Sequence, residues 1–279
     1  VWFRRKSRPA HDDAHADAAG SDAPDARSAA ESPSALAWRG LVSGAALQAM
    51  LVQARFEDAV LGHPSRDGSQ AWAYDVERCA LDLGGEELYA GILGTMAEAD
   101  GTWLWAWANP SLPDDVTALA TTVRDQVAAW DQPTPLDDDM TDEVGVLDAA
   151  VVGAWHSNSE GYYIAPTGQG GTAVLLIQDE DLAKQRIPYE RLPMVVMRII
   201  SELPVEHRML IEEWRDSEPA GARFADEADG AVVVAFAGLP PGPDGRPDPA
   251  EGARFRIEFD VQGRIAGING TVGPSTAAG

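Results

Sequence analysis

Thr102-Trp103-Leu104-Trp105-Ala106-Trp107-Ala108-Asn109 is the stretch on which the reading of this chain turns. In a strand, successive side chains point to opposite faces, so Trp103, Trp105 and Trp107 share one face with rings about 7 Å apart along the chain. The other face carries Leu104, Ala106 and Ala108. A segment apolar on both sides reads as a central strand covered on both faces. Three further apolar segments precede it, at 71–76, 79–83 and 88–97, separated by Glu77-Arg78, Gly84-Gly85-Glu86 and Ala99-Asp100-Gly101. Asp-Gly between apolar runs is a strong hairpin signal, so residues 71–109 are expected to form a meander of four antiparallel strands.

Working outward, residues 43–61 predict a helix, with Leu47, Met50, Leu51 and Ala54 as its apolar stripe and Gly62-His63-Pro64 as its stop. Downstream, Asn109-Pro110 ends the Trp strand and Ser111 is the expected N-cap of a second helix, with Pro113 in its first turn. Val116, Leu119, Ala120, Val123, Val127 and Trp130 recur at helical spacing and turn one apolar face to the sheet, up to Pro133. An acidic connector at 137–143 leads to a shorter helix at 144–155 and to strands at 162–165 and 172–177, which flank the turn Gly168-Gln169-Gly170-Gly171. Helices at 191–202 and 205–216 follow, then strands at 223–224, 231–236, 253–260 and 264–271, with a Pro/Gly/Asp loop at 239–252.

Helices segregated from antiparallel strands give the fold class α+β: an antiparallel β-meander covered by helices, followed by a smaller region of helices and then antiparallel strands. Residues 9–33 are almost entirely Ala, Asp, Ser, Gly, Pro and His, a composition that buries too little apolar area to offset its ordering entropy. The expected organisation is therefore a disordered tail at 1–40, an α+β meander domain at 41–185 and a smaller α+β domain at 186–279.

The formal charge is −24, and residues 1–40 contribute none of it, because they hold six Arg/Lys and six Asp/Glu. So acidic a folded part repels phosphates and anionic lipid, which excludes nucleic acid and admits a basic protein as partner. Apolar runs such as 174–177 and 231–237 fall short of the roughly 18–20 residues of a membrane-spanning helix, so no membrane span is expected. The basic run Trp2-Phe3-Arg4-Arg5-Lys6-Ser7-Arg8 passes into Pro9, His11, Asp12 and Asp13 and not into a secretory apolar core. Cys79 stands alone, so no intrachain disulfide forms. These features together predict a cytoplasmic protein.

Motifs that carry chemistry fail on inspection. His11-Asp12-Asp13-Ala14-His15 has the histidine spacing of a zinc-protease helix, but Asp replaces Glu and the third ligand is missing. An EF-hand loop begun at Asp137 would need Gly where Asp142 stands. Gly168-Gln169-Gly170-Gly171-Thr172 lacks the P-loop lysine and precedes a strand. Cys79 could take His63, His156 or His207 as base, yet it falls in an expected strand, where a structural thiol is the ordinary finding. His156 and His207 read as a helix-end and a surface histidine, and Glu212-Glu213 as a solvated helix face. Neither cofactor nor metal is expected. The candidate ligand-binding residues are Trp103, Trp105, Trp107 and Asn109, since an exposed indole ladder holds flat ligands by stacking.

The run from Thr102 through Asn109 to Pro110-Ser111, with a meander before it and a helix after it, is similar to the signature of an uncharacterised bacterial family of domains of unknown function, over residues 41–180. The resemblance implies no activity and no catalytic residues. The chain is accordingly read as a non-enzymatic intracellular binding or interaction protein, in one form an acidic inhibitor or immunity-type protein that takes a basic partner. The alternatives are a small-ligand sensor with a Trp-lined pocket and an enzyme of unrecognised type using Asp or Glu with His.

Overall fold

Ser32 and Pro33 open the longest helix. The Ser32 side chain accepts the Ala35 N–H and Pro33 occupies the first turn, where a missing N–H costs nothing, so α1 (Pro33–Phe56) starts well before the expected 43. This corrects the tail boundary at 40: Trp38, Leu41 and Val42 are buried on this helix, and an Ala-rich stretch becomes helix once a cap and a core are present. A computed structural model describes residues 2–4, 32–62, 72–130, 133–137, 139–168, 170–236 and 252–271. The remainder of the tail and the 239–251 part of the loop lie outside these residues, as do His11, His15 and His63. Residues 2–4, also assigned to the tail, form β1 (Trp2–Arg4), which pairs antiparallel with the first meander strand.

From Glu57 to Leu61 the helix widens into a single π turn. Glu57 and Asp58 in that turn pair with Arg198 and Arg191, fastening α1 to a later helix. The stretch 33–61 is long and apolar enough to cross a membrane by length and composition, although its best 18-residue window is 56% buried inside this fold. Its apolarity is spread among Ala and Gly and punctuated by Arg39, Gln48, Gln53 and Arg55, which is why no continuous run marks it. A helix apolar around most of its circumference belongs in an interior.

Among the described residues eight antiparallel strands form the large sheet. The meander is β2 (Trp72–Asp75), β3 (Ala80–Leu83), β4 (Glu86–Ala97) and β5 (Trp103–Trp105), in the expected order. The long β4 is the hub: its residues 86–89 pair with β3, 94–96 with β5 and 89–97 with β8 (Gly171–Gln178), itself paired with β7 (Gly161–Pro166). A two-residue strand missed in the acidic connector, β6 (Met140–Thr141), pairs with β5. Between β7 and β8 the chain turns through Gly168 and Gly170, both at positive φ, as the glycine-rich sequence predicts.

Helices α2 (Asp114–Val127) and α3 (Val146–His156) pack on the sheet. Val116, Leu119, Ala120, Val123 and Val127 form the buried face of α2, as their spacing predicts. After a short α4 (Glu180–Ala183), α5 (Leu192–Glu202) and α6 (His207–Asp216) lead to a second antiparallel sheet. It consists of β9 (Ala222–Asp226), β10 (Val232–Phe236), β11 (Arg254–Phe259) and β12 (Ile265–Thr271), in the order β12-β11-β10-β9. The fold is α+β. Buried side chains from Trp38 to Ile257 form one contiguous cluster, and α1 packs on both α3 and α6. The regions on either side of residues 183–188 thus share a core through α1.

Candidate functional site

The Trp run does not continue as one strand. β5 ends at Trp105, and Ala106–Ala108 form a turn of 3-10 helix, which breaks the two-residue alternation and swings Trp107 out of line. Trp103 and Trp105 are 0% exposed, whereas Trp107 is half-buried. The Trp107 ring stacks on Trp105 with centroids 4.8 Å apart and planes within 10°. Trp103 and Trp38 meet Trp105 edge-on, at 5.3 and 6.2 Å. The buried indole of Trp105 donates its Nε1–H to the Pro135 carbonyl at 3.0 Å. Gly94 on β4 makes room for this cluster, since a Cβ there would lie 2.5 Å from Trp103 Cζ2.

An exposed ladder of three indoles is therefore not formed, and Trp103 and Trp105 serve as core. Asn109 is a turn former: its Oδ1 accepts the Ser111 N–H at 3.1 Å and the Ser111 hydroxyl at 2.6 Å. This also corrects the role given to Ser111, because the cap of α2 falls two residues later, at Pro113, with Asp114 and Asp115 in its first turn. Their charges complement the positive helix end.

Beside Trp107 lies a surface cavity of about 370 Å³, lined by Arg124, Val127, Pro133, Thr134, Leu136 and Asp137 among others. The Arg124 guanidinium carbon sits 5.6 Å from the Trp107 ring centroid. None of the three tryptophans lines this cavity. Asp137, first residue of the acidic run, accepts the Thr134 N–H at 2.9 Å and closes a turn.

A family model spans this assembly from α1 to the end of the large sheet, residues 39–180. The chain belongs to DUF6882, a family of unknown function. No curated protein and no solved structure matches the chain. The DUF6882 region thus takes in Trp103, Trp105, Trp107 and the cavity beside them, with Trp38 one residue before it, and α5, α6 and the second sheet follow it.

Within the DUF6882 region the remaining sequence candidates are Cys79 and His156. Cys79 is not in a strand: it closes the turn before β3 at φ 50°, a left-handed conformation. Burial pushes its thiol up, nearby Asp115 and Asp75 add to the shift, and a hydrogen bond with Tyr89 opposes it. A thiol held protonated is a poor nucleophile. His156 stands at the end of α3, where burial lowers its pKa to about 4. Among the described residues no three His, Cys, Asp or Glu side chains gather as a metal site.

Beyond DUF6882, His207 is more than a surface residue, since its Nδ1 accepts the Ile265 N–H at 3.0 Å and pins β12 to the start of α6. No local signal announces a bond between residues so far apart in sequence. Charge is distributed with a consistent logic throughout. Arg78 pairs with Glu87, Arg186 with Glu190, Arg215 with Asp226 and Arg264 with Asp260, while Arg256 faces Glu227, Asp229 and Glu258 together. These arginines are in this way neutralised by near neighbours.

Proposed function

We propose that the protein is a non-enzymatic binding protein whose acidic surface receives a basic protein partner. The observation that carries this reading is the pairing of arginines with adjacent carboxylates, on a chain of net charge −24. Cations spent in local pairs leave little positive potential at the surface, and an excess of one sign steers an oppositely charged partner into encounter. In its most specific form the protein is an inhibitor or immunity-type protein that covers the basic working surface of its partner. A single buried thiol, Cys79, suits a reducing cytoplasm.

The test is association of the full chain with proteins from its own host at low salt, followed by kinetics on the purified partner. The expected result is a basic partner whose association rate falls steeply with ionic strength, by roughly tenfold or more between low and physiological salt. A neutral or acidic partner with a salt-independent rate would overturn the proposal.

A further inference from the structure

Where α1, α3 and α6 meet, a recess of about 200 Å³ opens to solvent, lined by Leu41, Gly44, Ala45, Trp155, His156, Glu213, Asp216 and Ser217. Its floor is the small-residue face of α1. Gly44 keeps that floor low, and the Glu213 side chain lies across it, with Oε2 3.9 Å from where a Cβ would stand. Trp155, 36% exposed, forms one wall. Glu213 and Asp216, both exposed, line it from α6.

Every polar feature of this recess favours positive charge. α3 ends at His156 and α6 ends at Asp216, so two helices direct the negative ends of their dipoles here. Two carboxylates in the last turn of α6 oppose that helix's own dipole, a local cost that a bound cation would offset. The cations closest in sequence are engaged elsewhere: Arg215 pairs with Asp226 and covers Phe224, Arg208 pairs with Glu212, and Arg39 pairs with Glu206. Among the described residues no lysine or arginine lines the recess. Burial keeps His156 neutral at physiological pH, so it adds no competing charge. An indole and two carboxylates lining one recess are the groups that hold an organic cation, by a ring face and by charge-assisted hydrogen bonds.

We propose that this recess binds the head of a single organic cation, the guanidinium or ammonium of an arginine or lysine side chain presented by the basic partner. The volume sets the class, because drug-sized ligands occupy roughly 300–1,000 Å³ and this recess holds only one side-chain head. The inference rests on the acidic-binding reading and gives that surface its anchor point. Glu213, Asp216 and Ser217 come from the chain beyond residue 180, whereas Leu41, Gly44, Ala45, Trp155 and His156 precede it, so the recess exists only where the two regions meet.

The test is an NMR titration of the full chain, following the Trp155 indole N–H and the Ser157 and Ser217 amides. The ligands are N-acetyl-arginine methylamide, N-acetyl-lysine methylamide, the uncharged norleucine analogue and a free diamine. Saturable shifts with arginine or lysine and none with norleucine are expected, with affinity reduced tenfold or more in E213Q/D216N and in W155A. Stronger binding of the free diamine than of either side-chain analogue would make the ligand a small polyamine and overturn the peptide assignment. Equal response to norleucine, or unchanged binding in E213Q/D216N with native amide dispersion, would overturn the cation site itself. The two proposals fail separately: a basic partner whose binding is indifferent to these variants leaves the acidic surface standing and removes the recess, whereas recess binding without any basic partner does the reverse.

Discussion

Trp105 and Trp155 mark two regions that use the same side chain in opposite ways. Trp105 is fully buried, stacked on Trp107, met edge-on by Trp103 and Trp38, and satisfied at Nε1 by a backbone carbonyl. Trp155, 36% exposed, lines a recess that carboxylates of a helix distant in sequence also line. The dense aromatic run, which attracts the eye as a binding platform, is what the large sheet and α1 enclose. The isolated indole at a helix end is the accessible one. Aromatic density in a strand reports burial more readily than ligand contact, because packing several indoles together removes the most apolar area from water.

The largest expected effect breaks the packed region. Trp105→Ala should lower unfolding free energy by about 3–5 kcal/mol, as large core truncations do. Gly94→Ala should be similarly severe for the opposite reason, since its Cβ would collide with the Trp103 ring. Trp155→Phe should stay within about 1 kcal/mol. Urea midpoints measure all three, and a tolerant Trp105 alongside a sensitive Trp155 would reverse the contrast.

Acidification probes the recess side next. The folded pKa of His156 is about 4 against an ordinary 6.5, so folding favours the neutral ring. That contribution is fully present above pH 6.5, shrinks as pH falls toward 4, and amounts to on the order of 3 kcal/mol at about 1.4 kcal/mol per unit. His156→Gln should flatten the stability profile across that window.

Smaller effects test the second sheet. His207→Ala removes the acceptor for the Ile265 N–H and should cost about 1 kcal/mol, seen as faster amide exchange at Ile265. Acrylamide quenching should sort the indoles, with Trp103 and Trp105 protected and Trp107 and Trp155 progressively more accessible. Arg256→Ala should give the smallest change, and high salt should reduce it, because this arginine and its carboxylates lie at the surface and only half-buried.

Much of the fold was legible because periodicity and turn chemistry are local. The meander order, the apolar face of α2 and the glycine turn before β8 follow from patterns a few residues long. The start of α1 was missed because its cap, Ser32, sits within a stretch whose composition resembles linker. The bend at Ala106 was missed because Ala-Trp-Ala alternates equally well in a strand and in a single 3-10 turn. The candidate site was less legible still. Trp103, Trp105, Trp107 and Asn109 became core, stacking partner and turn former, and nothing near Trp155 in sequence announces Glu213 or Asp216.

By itself the sequence determined the acidity, the α+β class and the identity of the elements, since charge, apolar period and turn residues act over short spans. The tertiary structure decided which tryptophans reach solvent, which helix binds the two regions together and where carboxylates meet an indole. Those outcomes depend on contacts between residues far apart along the chain, which α1 brings together by packing on both sides at once.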